Sequence, residues 1–340
     1  MTVRRWLCVP LVTPVLVAVV MWAQAAGMAR ADGQGNPSPG KKANDQSTMS
    51  ITGYAQVDYL VGTASPAPGQ LIERRARVTL SGKSRDRLEG KVQYAFDRLQ
   101  PAFTDIFLTG YTPDLSLQVG QFEVPMSEEI MTSATKYVLL ENAPVANYLW
   151  PRERDRLANL TYRPRDTHGT QVAAGVMLGN GINAWDNNPN KDVLVRVKQF
   201  LDGGRGSVFA GSQVGAFTDG NGITTPRRIY GGGAQWQDRD KDWKLNTETW
   251  VGQSHGAPFA GGLVRGIRDF HGGKCSVLAH VDYFDPDTTA GGDALVGPVL
   301  GYTYRPSTDV KLMLELDGRQ SQATAGSDFG VGFRCQVEFD

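Results

Sequence analysis

Reactive side chains are the first thing to look for, and no cluster of them forms a working centre. His168, His255, His271 and His280 lack the local spacing of a metal site. Gly211-Ser212-Gln213-Val214-Gly215 departs from the G-x-S-x-G elbow, and no Walker loop or dinucleotide fingerprint occurs. Asp238, Asp240 and Asp242, or Asp285 and Asp287, have the chemistry to hold Ca²⁺, but such residues are more often plain solvated turn residues. No enzyme activity, metal or cofactor is therefore expected; a serine working with one of the histidines is the enzymatic alternative. The chemistry sits instead in charges that alternate with apolar neighbours. Arg75, Arg77, Lys91, Arg196 and Lys198 form a basic set, and Asp97, Glu123, Glu128 and Glu129 oppose them, with Lys136 nearby in sequence. If they line one narrow aqueous path, such charges act on passing ions more strongly than they would at an open surface. The opposing reading is an inward network that neutralises itself.

The elements that would position these charges are strands. Phe329, Val331, Phe333, Cys335, Val337 and Phe339 share one face, against Gly330, Gly332, Arg334, Gln336 and Glu338 on the other. Val310, Leu312, Leu314 and Leu316 alternate with Lys311, Met313, Glu315 and Asp317. Ala76, Val78 and Leu80 oppose Arg75, Arg77 and Thr79, and Leu88, Val92, Tyr94 and Phe96 oppose Glu89, Lys91, Gln93 and Asp97. Continued along the chain, this period gives about sixteen strands, from 49–61 to 328–339. The blurred phase of Arg265, Arg268 and Asp269 leaves 261–271 the least regular of them. Short turns such as Thr112-Pro113-Asp114 alternate with Gly/Asn/Asp-rich loops such as 179–191, 218–226 and 285–293.

This pattern predicts an all-β fold, a transmembrane antiparallel up-and-down β-barrel with both termini on the short-turn side. In lipid each unpaired backbone group costs several kcal/mol, and only closure removes the edges of such a sheet. Forty glycines suit its packing and curvature. A soluble β-sandwich, propeller or lectin also alternates, but here charges sit mid-strand on the second face. Cys275 and Cys335 fall on the apolar phase of separated strands and read as isolated small hydrophobes rather than a disulfide.

Arg4 and Arg5, an apolar run to Trp22 and an Ala29-Arg30-Ala31 exit describe a cleaved signal peptide over residues 1–31. A flexible polar leader, 32–48, precedes the barrel domain, 49–340. Removing Arg4, Arg5 and Arg30 from 35 basic residues leaves 32 against 35 acidic ones, a net charge of −3. That balance argues against a nucleic-acid partner.

One connection breaks the rhythm. Residues 123–156 are far longer than an ordinary loop. Ser127 can cap a turn begun by Glu128 and Glu129, and Tyr137, Leu139, Leu140, Val145 and Leu149 give the segment an apolar side. Folded inward, this third loop would narrow the lumen and bring Glu123, Glu128 and Glu129 toward Arg75, Arg77 and Lys91. The alternatives are an outer lid or a contact between copies.

Here the chain resembles the phosphate-selective porins O and P. The resemblance is carried by Arg74-Arg75-Ala76-Arg77-Val78, by Lys91-Val92-Gln93-Tyr94-Ala95-Phe96-Asp97, and by the block from Leu117-Gln118-Val119-Gly120-Gln121-Phe122-Glu123 through Val124-Pro125-Met126-Ser127-Glu128-Glu129. Thr132-Ser133-Ala134-Thr135-Lys136-Tyr137, Glu141-Asn142-Ala143 and residues 152–156 are similar too. Beyond about residue 165 the likeness rests on strand pattern alone. It implies a sixteen-stranded, commonly trimeric outer-membrane barrel whose third loop is the constriction. Glu123 stands where family members often carry Lys, and Asp340 follows Phe339 where an aromatic residue usually ends the chain. The expected function is a porin in the outer membrane of a Gram-negative bacterium, passing small hydrophilic solutes and ions. An anion or phosphate channel and a soluble exported carbohydrate-binding protein are the alternatives. On this reading Arg at Phe333 is costly and Gln at Arg334 is cheap.

Overall fold

The structure, a computed structural model, describes residues 47–62, 69–84, 87–97, 102–164, 169–240, 242–318, 320–321, 326–327 and 329–339. The expected signal peptide, nearly all of the expected leader, and His168 lie outside them. Sixteen long antiparallel strands form one sheet that closes on itself. They are β1 (Thr48–Gly62), β2 (Gln70–Ser84), β3 (Leu88–Ala95), β4 (Ala102–Tyr111), β5 (Leu115–Glu123), β6 (Arg154–Tyr162), β7 (Thr170–Met177) and β8 (Asp192–Leu201). There follow β9 (Gly206–Thr218), β10 (Thr224–Gln237), β11 (Trp243–Ser254), β12 (Ala257–Phe270), β13 (Cys275–Asp285), β14 (Leu295–Tyr304), β15 (Val310–Asp317) and β16 (Gly330–Phe339). Two short pairs, Gln320–Ser321 and Gly326–Ser327, extend the β15–β16 connection. Each strand pairs with its neighbours in sequence, and β1 pairs with β16 from Gly53↔Phe339 to Gly62↔Gly330. That last ladder leaves no edge.

The distribution of side chains is the reverse of a soluble protein's. Leu108, Val264 and Leu300 are more than half exposed on the outer face, whereas Arg334 and Gln336 are wholly buried on the inner one. A water-soluble sandwich would place these two sets the other way round. The period-two phase therefore sorts lipid from lumen. Val331, Phe333 and Val337 point out, and Arg334, Lys311, Glu315 and Met313 point in. Cys275 and Cys335 are both unbridged.

The irregular strand is longer than its sequence suggests. β12 starts at Ala257, because β11 and β12 are joined by a tight turn at His255 and Gly256, both left-handed (φ 53° and 89°). Such a pair of positive φ values matches the right-handed twist of the flanking strands. Pro258 sits opposite Gln253 at the strand end, where its missing N–H is tolerated.

The cost of a lumen substitution also departs from expectation. Arg334 Nε and Nη2 grip both oxygens of Asp58 (2.7 and 2.8 Å), and the Asp58 carboxylate is itself buried. Arg334→Gln would strand that carboxylate, a loss of about 3–5 kcal/mol for breaking a buried pair. Phe333→Arg should cost about 2–4 kcal/mol at mid-bilayer depth. Urea unfolding in lipid vesicles should thus find both variants destabilised; a silent Arg334→Gln would refute the buried-pair account.

Candidate functional site: a loop-divided lumen

Between β5 and β6, residues 124–153 fold into the barrel as the third loop, L3. It carries two single-turn helices, α1 (Glu128–Met131) and α2 (Pro144–Leu149), and a 3₁₀ turn at Ala134–Lys136. The Ser127 hydroxyl accepts the Ile130 N–H and caps α1. Pro144 opens α2, where its missing donor is of no consequence.

Three walls hold L3. Against β8–β13, its Val124, Met126, Ile130, Val145 and Leu149 pack with Leu194, Phe209, Ile229, Phe259, Leu263 and Phe284 in one apolar cluster. Trp150 meets Trp250 edge to face at 5.0 Å and donates its indole N–H to Gln213 (2.8 Å). Further round, Leu139 packs on Ile267, Leu278 and Val299. On the β15–β16–β1 wall the contacts are polar. Lys311 Nζ donates to the carbonyls of Thr135 (2.6 Å) and Tyr137 (3.0 Å), and Arg334 Nη2 donates to that of Leu140 (2.8 Å). Gln336 and Gln56 reach the carbonyls of Thr135 and Ala134, and Glu315 accepts the Leu140 N–H. A loop without regular structure has orphaned backbone groups, and the wall's side chains satisfy them. Glycines mark the closest approaches: a Cβ at Gly211 would strike Met126, one at Gly261 Val145, and one at Gly332 Leu140.

The acids of L3 meet other partners than the sequence suggested. Glu128 pairs with Arg196 and with Lys198 (2.7 Å) on β8. Glu129 takes Arg265 on β12 (2.7 Å), and its backbone N–H goes to Glu248 on β11 (2.9 Å). Glu123 binds Arg154 (2.8 Å). None pairs with Arg75, Arg77 or Lys91: L3 turns Glu128 and Glu129 toward β8–β12, and Arg154 stands between Glu123 and the Asp105 partner of Lys91.

On the β1–β6 side a separate charged chain runs along the lumen. Lys91 pairs with Asp105 (2.6 Å), Asp105 with Arg154 (2.6 Å), and Arg154 with Glu123 and Glu153 (2.7 Å). Glu153 also accepts the Tyr137 hydroxyl and the Asn142 amide. Burial opposes ionisation of Glu153, but Arg154 and then Arg75, with those two donors, hold its carboxyl below the ordinary 4.5. Burial, and after it the Glu153 charge, push the Tyr137 phenol upward, so it stays a neutral donor.

Arg75 and Arg77 differ from the rest. Both are buried on the inner face of β2, and among the described residues neither enters an ion pair. Arg75 donates to the Gln56 side-chain oxygen (3.0 Å) and lies over the Tyr137 ring (5.7 Å), and Arg77 points its Nη1 at Gln93 (3.5 Å). Asp97 and Lys136 stand apart: Lys136 is exposed at the end of the 3₁₀ turn, and neither side chain finds a partner among the described residues. Asp105 escaped the sequence reading because a register shift at Gln93/Tyr94 interrupts the β3–β4 phase. Arg154 and Glu153 were visible as part of a charged run, but the left-handed Arg152 and Glu153 (φ 63° and 71°) that aim them were not.

No family model matches the chain, and no curated protein sequence matches it. Solved structures do. An anion-selective porin from Comamonas acidovorans superposes with a TM-score of 0.68 at 14% identity, over 86% of this chain and 100% of that one. Vibrio cholerae OmpT, an outer membrane protein in trimer form, gives 0.65 at 12% identity over 87% of this chain and 100% of its own. The outer membrane channel DcaP of Acinetobacter baumannii gives 0.64 at 13%, over 88% and 99%. At such identities the likeness establishes a shared fold, that of outer-membrane porins and channels.

The Glu153 network gives L3 an acid limit. A depressed carboxyl stabilises the fold fully above its unfolded-state value, and that contribution is lost as pH falls through the lower folded-state value. Open-channel current noise should therefore rise only once pH drops below the 4.5 of an unperturbed carboxyl. Glu153→Gln should abolish that acid step; an identical acid response in the variant would show that the loosening lies elsewhere.

Proposed function

We propose that this chain is an outer-membrane porin, a channel for passive diffusion of small hydrophilic solutes and ions. One observation supports this most: a closed barrel, apolar outside, holds a long loop inside that leaves a charged strip along β1–β6. The apolar L3 cluster lies on the β8–β13 side, and Lys91, Asp105, Glu123, Arg154, Arg75 and Arg77 line the opposite, β1–β6 side, which this reading assigns to water and solute. No part of this requires a reacting group, and passage down a gradient needs only a wet, charged path. The trimeric form described for Vibrio cholerae OmpT supports a homotrimer here as well.

A second reading, preference for anions, is favoured by Arg75 and Arg77. Both donate to glutamine oxygens and, among the described residues, neither enters an ion pair, although Arg75 also acts on the Glu153 carboxylate; Lys91 pairs with Asp105, and Arg196 and Lys198 share Glu128. The anion-selective neighbour and the likeness of 74–78, 91–97 and 117–129 to phosphate-selective porins point the same way. Phosphate itself, as the solute, is the narrowest form of this reading.

Reconstitution into a planar bilayer tests both. Stepwise conductance is expected; its absence from folded protein would defeat the porin reading. In a salt gradient the reversal potential should show anion preference, and Arg75→Ala with Arg77→Ala should move it toward cations. The shift should shrink at high salt, as the Debye length falls from ~10 Å at 0.1 M to ~3 Å at 1 M. Lys91→Ala should also move it toward cations, because it leaves one charge of Asp105 less compensated; no shift from the double arginine variant would defeat the anion reading.

A further inference from the structure

Among the recesses of the outer wall, one on β4–β7 ends in charged and aromatic side chains. It lies at the loop end of β4–β7 and is lined by Ile106, Val119, Ala158 and Val176, which point away from the lumen. Gly120 forms part of its floor. Its φ is 140°, and a Cβ there would fall on the Ile106 carbonyl oxygen, so the backbone admits no side chain at this position.

The recess has a built roof in the fourth loop, 178–191. Asn183, left-handed at φ 57°, donates its N–H to the Gln121 side-chain oxygen (2.8 Å) and its Nδ2 to the Phe103 carbonyl (2.9 Å). Gln121 Nε2 returns a hydrogen bond to Asn183 Oδ1 (3.1 Å). Asn180 Nδ2 holds the Trp185 carbonyl (3.0 Å), and the Trp185 side chain stands out from the loop, 83% exposed.

Arg156 sits at the recess rim with its guanidinium 4.9 Å from the Trp185 ring centre. Among the described residues it enters no ion pair. The adjacent Asp155 is buried and accepts the backbone N–H groups of Arg156 (2.6 Å) and Gly181 (2.9 Å). An apolar hollow therefore ends, at the loop side of the barrel, in an unpaired cation stacked on an exposed indole.

We propose that this recess binds a phosphorylated glycolipid of the outer leaflet. An acyl chain lies along Ile106, Val119, Ala158 and Val176, the phosphate meets Arg156, and a sugar face rests on Trp185. The three surfaces select this occupant together. Free phosphate would leave the apolar floor empty, and a neutral lipid would leave Arg156 unpaired at the headgroup level. The inference rests on the outer-membrane reading but not on what the lumen conducts.

Native mass spectrometry of the detergent-purified protein, titrated with purified lipid A, tests it. Wild type should bind one tight equivalent. Arg156→Gln and Ala158→Trp, each outside the pore, should weaken that binding about tenfold, the worth of one charge-assisted contact or one filled subsite. Dephosphorylated lipid A should bind wild type no better than lipid A binds Arg156→Gln. Inorganic phosphate should not compete. Equal binding in wild type and both variants would overturn the proposal. So would full competition by phosphate, which would make this a free-anion site. Loss of association between copies in Ala158→Trp with lipid binding unchanged would assign the recess to a second copy instead. Single-channel conductance is recorded in parallel: failure of the porin reading appears there, and failure of the lipid site appears in the mass spectrum.

Discussion

Hydrocarbon offers a peptide group nothing to hydrogen-bond with, and most of this structure follows from that. Each N–H and C=O crossing the bilayer has to find its partner in a neighbouring strand, so the sheet has no tolerable edge and β1 returns to β16. Closure then fixes the chemistry of the two faces. Outside, any apolar side chain is acceptable, which is why Leu, Val and Tyr recur there in no particular order. Inside, polar groups are enclosed by protein rather than by bulk water, and each needs a partner. Arg334 illustrates the consequence: wholly buried, it sets Nε and Nη2 on the two oxygens of Asp58, and Nη2 also reaches the Leu140 carbonyl.

The same constraint explains how an irregular loop survives inside the barrel. L3 has too few internal hydrogen bonds to satisfy its own backbone, and the inward side chains of β15, β16 and β1 supply what is missing. Lysine and arginine here act as surrogate strand donors to loop carbonyls. The opposite wall uses dispersion and the hydrophobic effect, with Trp150 and Trp250 at the centre of the cluster. A loop held only by charges would loosen with salt, and one held only by apolar contact would leave its carbonyls bare. L3 uses both: the apolar wall also pairs Glu128 and Glu129, and the β15–β16–β1 wall satisfies the loop carbonyls.

Strands were legible because their signal is local. Alternation along 308–318 or 328–339 needs no knowledge of the neighbours, and the lumen phase of Arg75, Arg77, Lys311 and Arg334 follows directly. The inward fold of L3 was also readable, since its length and its apolar residues demand a dry partner. Its partners were not. Glu129 and Arg265 are 136 residues apart, and Glu128 and Arg196 are 68 apart. Which strand faces the tip of L3 depends on barrel size, strand tilt and the register shifts at Gln56/Val57 and Gln93/Tyr94. These accumulate around the ring and leave no mark in any one segment. The start of β12 was hidden for a local reason: Gly256, Pro258 and two further glycines look like a loop, yet only Gly256 belongs to the two-residue turn and the others are strand.

Counting charges along a pore misjudges its field, and this lumen shows why. Arg75, Arg77, Lys91, Arg196 and Lys198 look equivalent in sequence, five cations on one phase. In the fold, three of them face carboxylates within ion-pair distance: Lys91 meets Asp105, and Arg196 and Lys198 share Glu128, which offsets one of their two charges. The other two face glutamine oxygens. An amide acceptor satisfies a guanidinium's geometry and fixes its direction, but it carries no opposing charge. In a region of reduced dielectric the difference grows, since the attraction left over is weakly screened. On the porin reading, the potential along the lumen depends on Gln rather than Asp or Glu at positions 56 and 93, as much as on the arginines.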